Sequence, residues 1–255
     1  MPGWAIASAA RACVRGLGGL VLPGVCAGCG AAEPTAEGLC DACGLELLSL
    51  ASLRYCPRCG STLGPGIPER DDGCGACPAP LPRFARVVRL GPYAGPLRTA
   101  VRDMKYHRME ALRRRLGRLL AEAVAARPDA PADRVAPVPM HWRRRMLRGY
   151  DHARTLGREV ARGLGLPLED VLARARHTAP QVRLSRTQRL ANVRGAFAPR
   201  RGADVTGLRI VLVDDVTTTG ATASEAARTL LRAGAAGVTL AVVAKSEPPT
   251  AYANR

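Results

Sequence analysis

Apolar residues along the chain fall into two rhythms. Ile210–Val213 is an unbroken run of β-branched and aliphatic residues, and Val238–Ala244 repeats the pattern after Gly234 and Gly237. Runs without alternation are how strands buried on both faces of a parallel sheet read. Phe84–Leu90 and Val135–Pro139 predict two further strands, and Val193–Phe197 a short one. Between them the spacing becomes helical. It does so over Leu97–Ala126 with a break near Tyr106–Met109, over Tyr150–Leu164 ending at Gly163 and Gly165, and from Ala223 to a stop at Gly234. Strands alternating with helices predict an α/β fold, a parallel sheet with helices on both faces.

The run at 210–213 is followed by chemistry. Asp214 and Asp215 are expected to stop the strand at its carboxyl end, where open α/β sheets bind ligands. Thr217, Thr218, Thr219, Gly220, Ala221 and Thr222 then lead into the helix, so hydroxyls and backbone N–H groups converge at the positive end of a helix dipole. That is a cradle for one phosphate. Carboxylates repel phosphate, so two beside the cradle make sense only if they face hydroxyls or a divalent metal. A sugar phosphate meets both demands. An apolar strand, two acids and Thr-Thr-Gly-x-Thr resemble the phosphoribosyl pyrophosphate (PRPP) signature of type I phosphoribosyltransferases. In that family the acids contact the ribose hydroxyls and the loop holds the 5′-phosphate. No Gly-Lys-Ser/Thr is present, so this is not a Walker loop.

Upstream, Cys26/Cys29, Cys40/Cys43, Cys56/Cys59 and Cys74/Cys77 form four Cys-x-x-Cys pairs. Their spacing predicts tetrahedral thiolate sites for zinc, two ions for eight sulfurs. A disulfide module and a redox pair are the alternatives, and spacing leaves open whether the pairs join in order or interleave. Gly30, Gly44 and Gly60 directly follow three of the pairs and are expected to turn the backbone so that N–H groups reach the thiolates. The Gly- and Pro-rich stretch 61–82 places a boundary near residue 80, giving an N-terminal zinc-binding domain over 1–80 and an α/β domain over 81–255. Residues 1–22 predict a short amphipathic helix, with Cys13 a small buried hydrophobe.

Composition adds a partner class and removes others. The formal net charge is +17, and two tetrathiolate zinc sites would bring it to about +13, which points to polyanions. Aromatics make up 4% of the chain, too few for a base-stacking platform. No stretch has the apolar length to span a bilayer, and a cytoplasmic location is the expectation. Lysine occurs only at 105 and 245 in a chain that otherwise writes Arg. Lys105, in Met-Lys-Tyr-His, and Arg143, Arg144 and Arg148, just past the 135–139 strand, are therefore candidates for pyrophosphate or nucleic-acid phosphate contacts. The polar, Arg-rich stretch 176–197 reads as a lid over the ligand crevice or as a basic arm for single-stranded nucleic acid.

In order, the four cysteine pairs, Pro-Val-Pro-Met, Arg144 with Arg148-Gly149-Tyr150 and the PRPP signature resemble the competence protein F (ComF) family. The pattern Thr178, Gln181, Leu184, Arg189, Asn192 and Gly195-Ala196-Phe197 extends the match to nearly the whole chain. The resemblance implies a type I phosphoribosyltransferase-like fold behind a zinc-ribbon-like domain. It implies PRPP held by Asp214, Asp215 and residues 217–222 together with magnesium, the two acids being the catalytic candidates. Arg176, Thr178, Gln181, Arg189 and Asn192 are then the lid residues. It further implies a role in natural transformation or DNA utilisation, with single-stranded DNA and a membrane DNA-translocation machine as partners. Asp151-His152 stands where the family usually has Asn-Gln.

Overall fold

The computed structural model describes residues 25–32, 38–106, 109–140, 151–176 and 186–247, of which 105, 106, 186 and 187 by their backbone alone. The predicted N-terminal helix lies outside these residues. Four parallel strands form the sheet: β1 (Arg86–Pro92), β2 (Arg134–Pro137), β5 (Arg209–Thr217) and β6 (Gly237–Lys245), in the order β1-β6-β5-β2. Two short strands, β3 (Leu172–Arg174) and β4 (Phe197–Pro199), pair antiparallel beside it.

The unbroken apolar run of β5 is explained by what lies on each face. Val211 and Val213 point into a core shared with α1 (Asp41–Ala51), α2 (Gly95–Tyr106), α3 (Glu110–Ala125) and α4 (His152–Leu164), through residues such as Leu47, Leu97, Leu116 and Leu156. Ile210 and Leu212 point into the opposite core, filled by Leu172, Val193, Phe197 and the Ala-rich face of α6 (Ala221–Arg232). All four β5 residues are essentially fully buried. Small residues let α3 and α4 approach closely: a Cβ on Gly117 would lie 2.4 Å from that of Glu159.

The helix break comes where it was expected, between α2 and α3. Four expectations are corrected. Asp214 and Asp215 do not end β5; pairing continues through Val216↔Ala244 to Thr217↔Lys245, because β6 is nine residues long and offers a ladder to its end. Val193 belongs to a helix, α5 (Arg186–Val193), and not to a strand; the strand begins only at Phe197, so part of the polar 176–197 stretch is helical. β1 starts at Arg86, not Phe84, which is buried as core. Of the three glycines after cysteine pairs, Gly30 and Gly60 take positive φ (79° and 76°), whereas Gly44 lies inside α1, its N–H bonded to Cys40 O.

Candidate functional site

The cysteines assemble in chain order. Cys26, Cys29, Cys40 and Cys43 form one cluster and Cys56, Cys59, Cys74 and Cys77 another, with all ligand atoms of a cluster within 4.8 Å of one another. Sulfur separations of 3.8 Å (Cys29–Cys40), 3.6 Å (Cys56–Cys77) and 3.7 Å (Cys59–Cys74) suit a tetrahedron with Zn–S bonds of about 2.3 Å and are far too long for disulfides. N–H groups that reach sulfur include those of Gly28 and Cys40 to Cys26 Sγ and of Cys74 to Cys77 Sγ, whereas Gly30, Gly44 and Gly60 donate to the carbonyls of Cys26, Cys40 and Cys56. Gly28 has its own reason to be glycine: a Cβ there would sit 2.6 Å from Cys43 Sγ.

The two clusters are seated differently. Cys26, Cys40 and Cys43 belong to the main core with Val88 and Leu112, whereas Cys56, Cys59 and Leu63 form a separate small core. The second module rests on the outer edge of β1, at its amino-terminal end, and on the residue Glu247 that follows β6. Arg58 donates to Ala85 O and Pro82 O, Val87 N donates to Pro57 O, and Thr62 N and Oγ1 donate to the Glu247 carboxylate. Arg89 is buried beneath it, its guanidinium 4.9 Å from the Tyr55 ring centre and donating to Thr62 Oγ1. Burial pulls its pKa down, and Glu247 and Tyr55 act in the opposite sense.

Beside that module, the chain from Asp214 into α6 forms a small cup of about 190 Å³ lined by Asp214, Val216, Thr217, Thr218 and residues 220–223. Gly220 caps α6 with φ 76° and ψ 2°, a left-handed conformation that turns the backbone from strand to helix in one residue. The first turn of α6 supplies N–H groups the helix itself does not use. Thr219 Oγ1 accepts one of them, from Ala221, at 3.4 Å. Asp214 Oδ1 accepts from Asp215 N and Asp215 Oδ1 from Val216 N, which fixes both carboxyl groups against their own strand.

Lys245, one of the chain's two lysines but not among the residues expected to contact phosphate, holds the loop from behind. Its Nζ donates to Thr218 O at 2.7 Å and to Ser246 O at 2.8 Å. Burial lowers its pKa, partly countered by Glu247 and the Cys59 sulfur. The signal in the sequence was the rarity of lysine, and it applied to 245 as much as to 105.

Of the expected lid residues, Arg176 donates from Nη2 to Asn192 O and Arg194 O, closing the carboxyl end of α5. That end is anchored by Gly195 N donating to Glu225 of α6. Burial opposes ionisation of Glu225, but Arg228 and the Gly195 N–H outweigh it and hold the carboxyl below its usual range. Asn192 is part of α5, and Arg189 reaches a cavity beside the loop that follows β5. Asp151 caps α4 by accepting from Arg154 N at 3.0 Å, a task its acceptor-only side chain suits. Arg143, Arg144, Arg148, Thr178 and Gln181 lie outside the described residues, as does the Lys105 side chain.

Comparison with known proteins follows this layout. Residues 17–78 match the model of the double zinc ribbon domain, and 151–252 that of the phosphoribosyl transferase domain. The DNA utilization protein YhgH of Salmonella typhi is 36% identical over 86% of this chain and 96% of its own length. Competence protein F of Haemophilus influenzae is 33% identical over 78% and 86%. The chain belongs to the competence protein F and YhgH family. A solved structure, the glutamine PRPP amidotransferase from B. subtilis complexed with ADP and GMP, is 25% identical over 56% of this chain and 30% of its own, with a TM-score of 0.39. As a member of this family, the chain joins two four-cysteine zinc-ribbon sites to a phosphoribosyltransferase-type sheet. Among the described residues no helix is long and apolar enough to cross a membrane.

Proposed function

We propose that this chain binds PRPP or a related pentose phosphate at the end of β5 and serves in DNA utilization or competence, as the names of its relatives indicate. The supporting observation is the cup itself. One continuous segment brings Asp214, the hydroxyl-bearing residues 217, 218 and 222, and the start of α6 around a single space of about 190 Å³. In this reading the 5′-phosphate takes the N–H groups and hydroxyls of 217–222, and Asp214 and Asp215 accept from the ribose hydroxyls. Their carboxylates then face the anomeric carbon's side of the sugar as positive charge builds there. A magnesium ion, when bound with PRPP, supplies charge neutralisation for the pyrophosphate. The chain's own basic residues at 105, 143, 144 and 148 are the candidates to orient that group.

Calorimetry tests the site. Wild-type protein is expected to bind PRPP, and the Asp214→Asn, Asp215→Asn double variant to lose binding while keeping its circular dichroism spectrum; equal affinity of the two would refute the assignment. Turnover is a separate matter, because no general base stands out. Release of pyrophosphate from PRPP with a panel of bases and amines identifies a transferase. The net charge of +17 supports a second reading, a factor that holds single-stranded DNA without turnover. That reading predicts no pyrophosphate release and DNA binding that weakens steeply with salt.

A further inference from the structure

Arg89 and Lys245 are 2% and 8% exposed, and both lie against the second zinc module. Among the described residues neither forms an ion pair with a carboxylate. A buried charge needs a partner. We propose that the tetrathiolate zinc site of Cys56, Cys59, Cys74 and Cys77 is that partner, and that metal in it steadies the loop after β5 through Lys245. This holds whichever ligand the loop takes.

The packing brings the cations and the sulfurs together. Gly60 directly follows Cys59, and a Cβ there would lie 3.6 Å from Lys245 Cδ, so the lysine stem runs against that cysteine loop. Cys59 and Lys245 also line one cleft. Arg89 is held by the same module. Thr62 Oγ1 accepts from its Nη2 at 2.8 Å, and the Tyr55 ring, one residue before Cys56, is centred 4.9 Å from its guanidinium carbon. Its Nε and Nη1 are buried without a hydrogen-bond partner among the described residues, which leaves that charge to be balanced through space. Burial lowers the pKa of both cations, and Glu247 and the Cys59 sulfur act against it on both.

The balance of charge depends on the ion. Four thiolates on one zinc carry a net charge of about −2. The nearby acid Glu247 is a single charge whose two oxygens already accept from Thr62 N and Thr62 Oγ1. Without the ion, four clustered thiolates cannot all stay ionised, so negative charge leaves the module. Arg89 and Lys245, which repel each other, then lose part of what holds them. Lys245 carries the effect to the loop. Its Nζ donates to Thr218 O at 2.7 Å and to Ser246 O at 2.8 Å, and an ammonium that moves toward water gives up the bond that fixes Thr218. Lys245 is thus a positioning residue for the entrance to α6.

Chelator competition on full-length, two-zinc protein measures the charge pairing. Arg89→Met and Lys245→Met are each expected to weaken the second zinc site about tenfold or more and leave the first unchanged, the scale of close charges in a buried setting. Cys77→Ser, lacking the second ion, tells the two sites apart. Amide hydrogen exchange read by mass spectrometry, without any ligand, measures the loop. Residues 217–223 are expected to exchange about tenfold faster in Cys77→Ser than in wild type, while α3 is unchanged. Lys245→Met should do the same, and the double variant no more, because both act through one ammonium. Zinc affinity within twofold of wild type in both cation variants overturns the proposal. So does loop exchange that is unmoved in Cys77→Ser or additive in the double variant. Should a cation variant not fold, unmoved exchange in Cys77→Ser still overturns it. The cup reading is tested separately, since neither measurement contains a ligand.

Discussion

Replacing Gly220 by alanine separates the strength of the fold from the geometry of the loop. Gly220 has φ 76°, where an L side chain costs about 1–2 kcal/mol. An added Cβ would lie 3.4 Å from Phe84 Cζ, ordinary contact, so sterics with neighbours add little and the backbone conformation sets the cost. For a chain of 255 residues that lowers the melting temperature by about 2–8 °C. Relieving the strain means rotating the peptide groups that open α6, and these are the groups assigned to the phosphate. Losing one charge-assisted hydrogen bond of about 1.5–3 kcal/mol weakens ribose 5-phosphate binding by about 10- to 100-fold. Scanning calorimetry and titration calorimetry on the same sample measure the two effects. Gly237→Ala, where an added Cβ meets nothing within 4 Å and φ is ordinary, is the control and should change neither by much. Ribose 5-phosphate affinity within twofold of wild type in Gly220→Ala would show that the left-handed turn does not shape a phosphate site.

Three further outcomes follow from the packing. Cys43→Ser is expected to lose one zinc and unfold the α/β core with it, because that cluster is part of the main hydrophobic core. Cys77→Ser should lose one zinc by elemental analysis yet keep the sheet's far-ultraviolet signal. Gly117→Ala drives a Cβ to 2.4 Å from Glu159 Cβ; the helices must part, and urea titration should report about 1–3 kcal/mol of lost stability. Glu225 has its folded pKa below the ordinary 4.5, so its contribution is present above that value and is lost as pH falls through the lower one. Melting temperature should therefore drop as pH falls below about 4, and less steeply in Glu225→Gln.

The elements legible in the sequence were those whose causes are local. The β5 and β6 runs, the α2–α3 break and the four cysteine pairs each carry their signal within a few residues, and each appeared. Residues whose roles depend on chain segments far apart were not legible. Lys245 matters because β6 ends beside the loop after β5, and Arg89 because a module 30 residues upstream covers it. Pairing beyond Asp215 was missed for the same reason: whether a strand stops depends on its neighbour's length, not on its own acids. The helical turn at Val193 was hidden by an apolar residue serving as the contact of α5 with the α6 side of the core.

The strand order has a consequence for how the molecule is made. β1, encoded early, finds its parallel neighbour only in β6, the last strand of the sheet. On the ribosome, then, the cysteine ribbons can capture metal long before the sheet beside them is complete. A nascent chain arrested before residue 237 would carry loaded knuckles and a β1 still without its neighbour, a species for chaperones rather than for function.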